Sequence, residues 1–519
     1  MRPPCDEAIL RSGAAAAPCR SQSRKWILAA TILGSSLAFI DSTVVNVALP
    51  AIQSTFHANV VDVQWVVEAY GLLLAALILV GGSLGDLFGR RVVFLAGVAI
   101  FALSSAACGF ATTAGPLIAA RSVQGLGAAL LIPGSLAIIS ASFDERSRGQ
   151  AIGTWSGSTA ITTAAGPVLG GWLVEHASWR WAFFINIPIA AAVIVISLWH
   201  VPESRSRTAG RVDWLGAVLV TTGLAGLVYG FIESTDLGWR SPFVTGSLLL
   251  GTAALVLFVI VERKEASPML PLRLFASRNF TGANLLTLLL YAGIGVFFFL
   301  FPMTLIQVHG YPATLAGAAM LPMILLVFLL SRWSGGLVAR YGPRRPLIIG
   351  PLIVGLGFLL FALLGASGAY WKTFFPPIVI LGLGLAVTVA PLTTVVMNSV
   401  DPDHVGTASG INNAVSRIAG VLAIAVLGIV MVGAFSARLN SNMQGLSLPA
   451  DVMHDIQANE NKLAGLPVPA NVDRGAASLI RESVREAFVF GFRTVLLICA
   501  GLALASATIS AKMIEDRAR

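Results

Sequence analysis

Fourteen long apolar segments, distributed over all 519 residues, most constrain what this sequence can fold into. A helix needs about 20 mostly apolar residues to cross the hydrocarbon core of a bilayer. The segments are 26–49, 64–84, 92–111, 115–139, 150–173, 180–199, 214–232, 242–261, 281–305, 313–335, 347–366, 373–396, 407–433 and 488–510. Because their apolar runs are continuous rather than alternating, they predict helices and not the strands of a membrane barrel. The predicted fold class is an all-α integral membrane protein with fourteen transmembrane helices.

The composition agrees with a chain whose solvent is the lipid bilayer. Hydrophobic residues make up 56% of the sequence, charged residues only 11%, and the mean hydropathy is +0.82. A soluble domain has about 25% charged residues. The net charge of +9 requires no nucleic acid, because basic residues on the cytoplasmic loops of a membrane protein produce the same excess.

The positions of Lys and Arg predict the orientation of the chain. Most of the 34 basic residues fall in segments on the side of the N-terminus, whereas the short loops opposite hold only Arg180, Arg240 and Lys372. Because cytoplasmic loops carry such an excess, both termini are predicted to be cytoplasmic. The long outer loop, 434–487, is predicted to be a solvated connector, and its end, AASLIRESVREAF, could extend the last helix.

A motif occurs twice, at the ends of corresponding helices. GGSLGDLFGRRVVF (81–94) and SGGLVARYGPRRPL (334–347) both combine small residues, an aromatic-Gly turn and arginines. Gly89 and Gly342 are expected to adopt the positive φ that ends a helix. The second copy has Ala339 where the first has Asp86, the acid with which the arginines can pair. Such turns also serve as ordinary connectors, which is the alternative interpretation.

Two copies in corresponding places predict two six-helix halves, as in secondary transporters whose halves rock against each other. The predicted ranges are a cytoplasmic tail (1–25), the N-terminal half (26–199), two extra central helices with their connections (200–280), the C-terminal half (281–510) and a cytoplasmic tail (511–519).

Five motifs in order resemble one known family, the major facilitator superfamily, and within it the fourteen-span drug:proton antiporters of the QacA/EmrB type. They are FIDSTVVNVALP in the first span, GGSLGDLFGRR after the second, RSVQGLGAALLIPGSLAII in the fourth, GSTAITTAAGPVLGGWL in the fifth and WRWAFFINIPIA at the sixth. The resemblance covers essentially the whole chain. It implies alternating-access export of lipophilic or cationic drugs and toxic compounds, coupled to protons, across a bacterial cytoplasmic (inner) membrane. The proton gradient replaces any cofactor, and a periplasmic adaptor is an expected partner only where the host has an outer membrane.

Three charged residues inside spans are the candidates for proton coupling: Asp41, Glu68 and Arg121. A charged side chain at the centre of a spanning helix costs about 2.5–3.5 kcal/mol on insertion scales, so a functional role is expected. Asp41 lies nine residues before Pro50, which places it roughly 13 Å from the outer surface if the helix ends there. The alternatives are a structural hydrogen bond for Asp41, an interfacial position for Glu68 and an outer anchor for Arg121.

The face of the first span that lines a cavity stays open at this point. Asp41 shares a face with small residues that suit close helix packing, whereas Ser35, Thr43 and Asn46 lie broadly opposite. The candidate substrate-binding residues are Thr43, Asn46, Trp65, Tyr70, Gln124, Trp155 and Tyr291. The candidate gating residues are Gly82, Gly85, Asp86, Gly89, Arg90 and Arg91 in the turn, and Gly166, Pro167, Gly170 and Gly171 in the fifth span. Ordinary Gly-rich helix packing is the alternative for the fifth span.

Other classes of protein are less well supported. None of the five lysines follows a glycine, so a phosphate-binding loop for ATP is not predicted. The six histidines have no metal-like spacing and no nucleophile–base arrangement stands out, so neither a metal nor a catalytic site is predicted. An exporter of one metabolite or natural product remains the first alternative, followed by a membrane enzyme or a non-transporting receptor.

Overall fold

A computed structural model describes residues 21–143, 145–205, 212–265, 268–363, 369–401, 405–444, 449–469 and 472–515. The first half of the chain forms α1 (Ser21–Phe56), α2 (Val60–Phe88), α3 (Arg90–Phe110), α4 (Ala114–Ser142), α5 (Glu145–His176), α6 (Trp181–Phe184), α7 (Asn186–His200), α8 (Trp214–Leu237) and α9 (Pro242–Glu262). The second half forms α10 (Arg278–Met303), α11 (Ala313–Ala318), α12 (Leu321–Gly335), α13 (Leu337–Tyr341), α14 (Arg344–Leu363), α15 (Tyr370–Thr373), α16 (Phe375–Asn398), α17 (Val405–Gln444), α18 (Ala450–Ala458) and α19 (Arg474–Met513).

Thirteen helical segments of the described chain are long and apolar enough to cross a membrane. The remaining predicted span, 150–173, lies within the 32 residues of α5, whose many Gly, Ser and Thr residues make it less apolar. The described chain is helical, with short 3₁₀ and π segments, and the predicted all-α membrane fold is confirmed.

Three predicted boundaries differ from the structure. Helix α1 continues through Pro50 to Phe56, because a spanning helix tolerates the missing backbone donor where its neighbours satisfy the freed carbonyl. Asp41 therefore lies fifteen residues from the end of its helix, roughly 22 Å along the axis, rather than the nine residues counted to Pro50. The predicted spans 180–199 and 313–335 are each interrupted by a short turn.

The described part of the predicted outer loop, 434–487, is largely helical. Helix α17 continues to Gln444, α18 follows, and α19 begins at Arg474. Only the central part of 434–487 is therefore a connector, and the expectation that AASLIRESVREAF extends the last helix is confirmed.

The chain divides into two compact units. The first unit comprises the residues up to Val45, Ala69–Ala225 and Thr252–Leu272, and the second comprises Asn46–Glu68, Gly226–Gly251 and the residues from Arg273 onward. Helices α1 and α2 contribute to both units. The halves 26–199 and 281–510 stay a prediction, because these units follow a different division of the chain.

Phenylalanines fill part of the interior of the second unit. Phe297 stacks on Phe301 with ring centroids 4.8 Å apart, and Phe361 packs against both rings at 5.2 and 5.4 Å. Phe297 and Phe301 are almost fully buried. The aromatic run VFFFLF thus contributes to the core of the unit, where its rings pack against one another by van der Waals contact.

In the first unit, glycines bring α3 and α4 into close contact. A Cβ atom added to Gly127 would lie 2.7 Å from the Phe101 backbone nitrogen and 3.0 Å from the Gly97 carbonyl oxygen. A Cβ on Gly97 would lie 2.9 Å from the Gly127 carbonyl oxygen. Small residues allow helix backbones to approach in this way within a membrane.

Replacing Gly127 with Ala is expected to destabilise the protein by about 1–3 kcal/mol, because the new methyl group overpacks the α3–α4 contact. Gly153, in α5, is the matched control, because a Cβ there would meet nothing within 4 Å. Gly153→Ala is expected to be neutral or to stabilise by up to about 1 kcal/mol through helix propensity. Thermal unfolding of the purified variants in one detergent measures the difference, and equal midpoints would contradict the close contact.

Candidate functional site

A buried ion pair joins α1 to α4 inside the first unit. Arg121 Nη1 lies 2.5 Å from Asp41 Oδ2, and the two side chains are 1% and 0% exposed. Removing two charges from water costs several kcal/mol per ion, so such a pair needs further hydrogen bonds to persist. The surrounding helices supply them.

Three polar side chains complete what we name the Asp41 cluster: Asp41, Ser105, Arg121, Gln124 and Asn186. Gln124 Nε2 donates to Asp41 Oδ1 at 2.9 Å and Asn186 Nδ2 donates to the same oxygen at 3.3 Å. Arg121 Nη1 also donates to Gln124 Oε1 at 2.7 Å. The Asp41 carboxylate thus accepts from three side chains on two helices.

Ser105 holds the two amides in place. Its Oγ accepts from Gln124 Nε2 at 3.2 Å and from Asn186 Nδ2 at 2.9 Å, and it donates to the Phe183 carbonyl oxygen at 2.9 Å. Because Ser105 lies on α3 and Asn186 on α7, the cluster connects four helices of the unit. Its orientation therefore depends on how these helices pack.

Aromatic rings enclose the guanidinium group. Arg121 Cζ lies 4.3 Å from the centroid of the Tyr70 ring and 5.9 Å from that of Phe183. The Tyr70 hydroxyl donates to the Ala38 carbonyl oxygen at 3.3 Å. The rings add cation–π attraction and exclude water, which strengthens the ion pair.

Two of these residues have contacts that differ from their predicted roles, and three were not predicted at all. Gln124 and Tyr70 were candidates for substrate binding, but in this structure they contact the ion pair. Ser105, Phe183 and Asn186 were missed. Asn186 lies in the quoted motif WRWAFFINIPIA, and an amide inside an apolar run was the signal that could have found it.

Glu68, on α2, has a different environment. Its side chain is fully buried, and neither carboxyl oxygen has a hydrogen-bond partner among the residues that the structure describes. It belongs to the second unit, whereas Asp41 and Arg121 belong to the first. Of the three residues expected to meet, the structure brings Asp41 and Arg121 together. Burial argues against the interfacial position considered for Glu68.

The predicted polar side of α1 is packed rather than open. Ser35 accepts a hydrogen bond from Trp155 Nε1 at 3.0 Å, and Thr43 donates to the backbone carbonyl oxygens of Phe39 and Ile40 at 3.1 and 3.0 Å. Trp155 and Thr43, two of the candidate substrate ligands, are therefore both buried against neighbouring residues in this structure.

The remaining candidate substrate ligands belong to the second unit. Trp65 Nε1 donates to Glu233 Oε1 at 2.8 Å, and its ring lies 6.2 Å from that of Tyr229. Asn46 and Tyr291 are half-buried. Glu233, on α8, was missed because its partner is distant in sequence.

The glycine motif of α5 packs directly on α1. A Cβ on Gly170 would lie 2.8 Å from a methyl carbon of Val44, and one on Gly166 would meet Thr43 and the Ile40 carbonyl oxygen. Pro167 and Gly171 are also buried. The motif therefore forms a tight helix–helix contact, which is the geometry expected for either gating or ordinary packing.

The arginine turn, defined as Gly89, Arg90 and Arg91, has the predicted backbone. Gly89 has φ +120° and Gly342, in the second copy, has φ +76°, so the expected positive φ values are confirmed. Arg90 Nη2 lies 2.7 Å from Asp86 Oδ1, one helical turn earlier. Gly85 is buried and Gly82 is half-buried on the same helix.

Glu203, which the sequence reading missed, caps the start of α3. Its Oε1 accepts from the Arg91 backbone N–H at 3.1 Å and its Oε2 from that of Val92 at 3.2 Å. The Ser204 carbonyl oxygen accepts from the Arg90 N–H at 2.9 Å. The first three N–H groups of α3, which have no partner within the helix, are thus satisfied by two residues that follow α7. A Cβ on Gly89 would lie 2.7 Å from Glu203 Oε1, so glycine leaves room for the carboxylate.

Metal chemistry has no support in this geometry. In the described ranges, no group of three or more His, Cys, Asp and Glu side chains is arranged to hold a metal ion. What the site offers is a charged, hydrogen-bonded cluster sealed inside a helical membrane protein, an arrangement typical of membrane transporters.

The chain belongs to the major facilitator superfamily, whose family model matches residues 31–424. The multidrug resistance protein Stp of Mycobacterium tuberculosis strain CDC 1551 is 36% identical over 489 residues, 91% of this chain and 88% of that protein. The tetracenomycin C resistance and export protein of Streptomyces glaucescens is 32% identical over 505 residues, 96% and 94% of the two chains. The family resemblance indicated by the motifs is confirmed, and the family is one of transporters rather than enzymes.

Solved structures support the fold. The inward-facing, unoccupied crystal structure of a bacterial homologue of the human lysosomal transporter Spinster has a TM-score of 0.65 at 19% sequence identity. The match covers 96% of this chain and 99% of that one. At this identity, the comparison supports the fold alone.

Removing one member of the ion pair is expected to cost more than removing both. Arg121→Met leaves the Asp41 carboxylate buried without its charge partner, a change that costs about 3–5 kcal/mol. The double variant Asp41→Asn/Arg121→Met leaves no buried charge and is expected to be less destabilised than Arg121→Met alone. Unfolding midpoints of the two single variants and the double variant in one detergent give the coupling, and additive losses would contradict a direct ion pair.

Glu203→Gln is expected to destabilise the protein by about 1 kcal/mol, because the charge facing the N-terminus of α3 and one of the two hydrogen bonds accepted from α3 are lost. Glu486→Gln is the control, because Glu486 pairs with Arg438 at 4.0 Å and both side chains are nearly half exposed. An exposed pair contributes about 0–1 kcal/mol. Equal thermal unfolding midpoints for the two variants would exclude a capping role for Glu203.

Proposed function

We propose that this protein is a proton-driven exporter of lipophilic or cationic small molecules that works by alternating access. The observation that carries the proposal is the Asp41–Arg121 ion pair, buried in a chain of the major facilitator superfamily. Intramembrane ionisable residues mark ion and substrate pathways. Because a charged residue is costly to insert into the membrane, it is retained mainly where it has a function.

Protonation of Asp41 is proposed to release α1 from α4. In the described state, the carboxylate accepts from Arg121, Gln124 and Asn186. A neutral carboxyl group loses the charge attraction to Arg121 and can no longer accept strongly at both oxygens. Arg121 keeps Gln124 and the Tyr70 ring as partners, so its charge stays compensated in part. Proton binding thereby changes the contact between helices, which is what coupling requires.

Glu68 is proposed as the second proton carrier. Glu68 is buried with no hydrogen-bond donor among the described residues, and an ionised carboxylate in such a place is too costly to persist, so Glu68 is neutral in this state. In this conformation Asp41 is then deprotonated and Glu68 is protonated. Protons entering from outside neutralise a deprotonated acid and drive the outward-to-inward change, and the substrate leaves in the opposite half-cycle.

The proposal also covers the location of the protein, its energy source, its partners and its moving parts. We place the protein in the bacterial cytoplasmic membrane with both termini in the cytoplasm, driven by the proton gradient without a cofactor. Small molecules and protons are its partners, with an adaptor only where the host has an outer membrane. The arginine turn and the α5 glycines serve conformational gating in this scheme, and the two six-helix halves, 26–199 and 281–510, are its moving parts.

The breadth of substrates separates two forms of the proposal. One relative is named a multidrug resistance protein, and another is named for tetracenomycin C alone. Transport of several unrelated lipophilic dyes favours the broad exporter. Saturable transport of one natural product, with no transport of the dyes, favours the specific one.

Asp41→Asn is expected to reduce export driven by a pH gradient to the level of empty vesicles, because the residue can no longer exchange a proton. Proteoliposomes with an imposed pH gradient and a lipophilic cationic dye measure this rate. Dye binding to the purified variant is expected to persist, which separates lost coupling from lost folding.

Asp455→Asn is the matched control, because Asp455 is an exposed carboxylate on α18 and its removal is expected to leave export unchanged. Normal gradient-driven export by Asp41→Asn would refute the assigned role of Asp41. Export by the unaltered protein that is insensitive to collapse of the pH gradient would refute antiport itself.

A further inference from the structure

A pair of carboxyl groups lies in the first unit, outside the Asp41 cluster. Asp213 immediately precedes α8, and Glu262 is the last residue of α9. Glu262 is only 3% exposed although it ends its helix. Glu262 Oε1 and Asp213 Oδ2 are both buried, and neither has a hydrogen-bond donor within the described residues.

The other oxygen of each carboxyl group is well satisfied. Asp213 Oδ1 accepts from the Gly216 backbone N–H at 2.7 Å, which makes Asp213 the N-terminal cap of α8. Glu262 Oε2 accepts from the Leu270 backbone N–H at 3.0 Å, across the connection that follows α9. Each side chain is thus held in a fixed orientation by a backbone donor.

The two unsatisfied oxygens face the same point. A Cβ on Gly216 would lie 2.9 Å from Glu262 Oε1 and would also contact Asp213 Oδ2. Two ionised carboxylates have no proton with which to form a hydrogen bond between them, and like charges sharing a site cannot both be ionised. One proton between the two oxygens satisfies both at once.

We propose that Asp213 and Glu262 form a proton-binding site, with Glu262 Oε1 carrying a proton that it donates to Asp213 Oδ2. Asp213 is the ionised partner, because the N-terminus of α8 stabilises its negative charge. Glu262 is the protonated partner, with its carbonyl oxygen accepting from Leu270. Among the described residues, the three charged side chains that directly follow Glu262 in the sequence, Arg263, Lys264 and Glu265, are all exposed.

The shared proton fastens three pieces of chain together. It links the start of α8 to the end of α9, and through the Leu270 hydrogen bond it fixes the connection that leads towards α10. Loss of the proton leaves two carboxylates in repulsion at this junction. The site is therefore a proton-dependent latch on the two extra helices, separate from the acids proposed for transport.

Glu262→Gln tests whether Glu262 carries a proton. The glutamine amide can form both hydrogen bonds of the protonated glutamate, but it has no proton that titrates. The Gln Nε2 group can donate to Asp213 Oδ2 while Oε1 accepts from Leu270. Infrared difference spectra of the unaltered protein against Glu262→Gln at neutral pH are expected to show loss of one carbonyl band of a protonated carboxylic acid. Glu265→Gln, which alters an exposed neighbouring acid, is expected to remove only an ionised carboxylate band. The absence of a protonated band from the first difference spectrum would overturn the proposal.

The stability of the variants provides a second readout. The unaltered protein is expected to unfold at lower temperatures as the pH rises from about 4.3, the pKa of a free glutamate, to the pH at which the folded site loses its proton, because over this range the folded state holds a proton that the unfolded chain has released. Relative to it, Glu262→Gln is expected to lose several degrees less over this range, and Glu262→Ala is expected to be destabilised throughout. Parallel curves for the unaltered protein and Glu262→Gln would contradict a proton-dependent latch.

Discussion

The contact between the Asp41 carboxylate and the Arg121 guanidinium is the interaction on which the rest of the first unit depends. In a medium that cannot solvate either charge, the two groups must find each other and must find further donors and acceptors. The helices α1, α3, α4 and α7 are therefore constrained to arrange Asp41, Ser105, Arg121, Gln124 and Asn186 around one point. The glycines at the α3–α4 and α1–α5 contacts allow backbones to approach closely enough for this to happen.

One contact between helices in the second unit is made by neutral polar side chains. Asn412, on α17, donates to Asn284 Oδ1 at 3.2 Å and to Thr287 Oγ1 at 2.7 Å, both on α10. Neutral amides and hydroxyls join helices but do not exchange protons at physiological pH. The two copies of the turn motif also differ, because the second has Ala339 where the first has Asp86.

Much of this arrangement was predictable from the sequence, because lipid imposes simple rules on composition. An acid within an apolar run identified Asp41, and the same logic identified Arg121 and Glu68. What the sequence could not supply was the set of partners that depend on packing between distant helices. Ser105, Asn186 and Glu203 are ordinary polar residues until folding places them beside a charge or a helix end. The end of the first helix was predicted wrongly at Pro50, because proline does not always end a spanning helix when neighbouring helices compensate for the missing backbone donor.

The position of Glu203 in the sequence also determines when the cap of α3 can form during synthesis. The N-terminus of α3 receives its cap from a residue 112 positions after Arg91, at the end of α7. During synthesis, the N-terminus of α3 lacks this cap until Glu203 has left the ribosome, after the residues of α1 to α7.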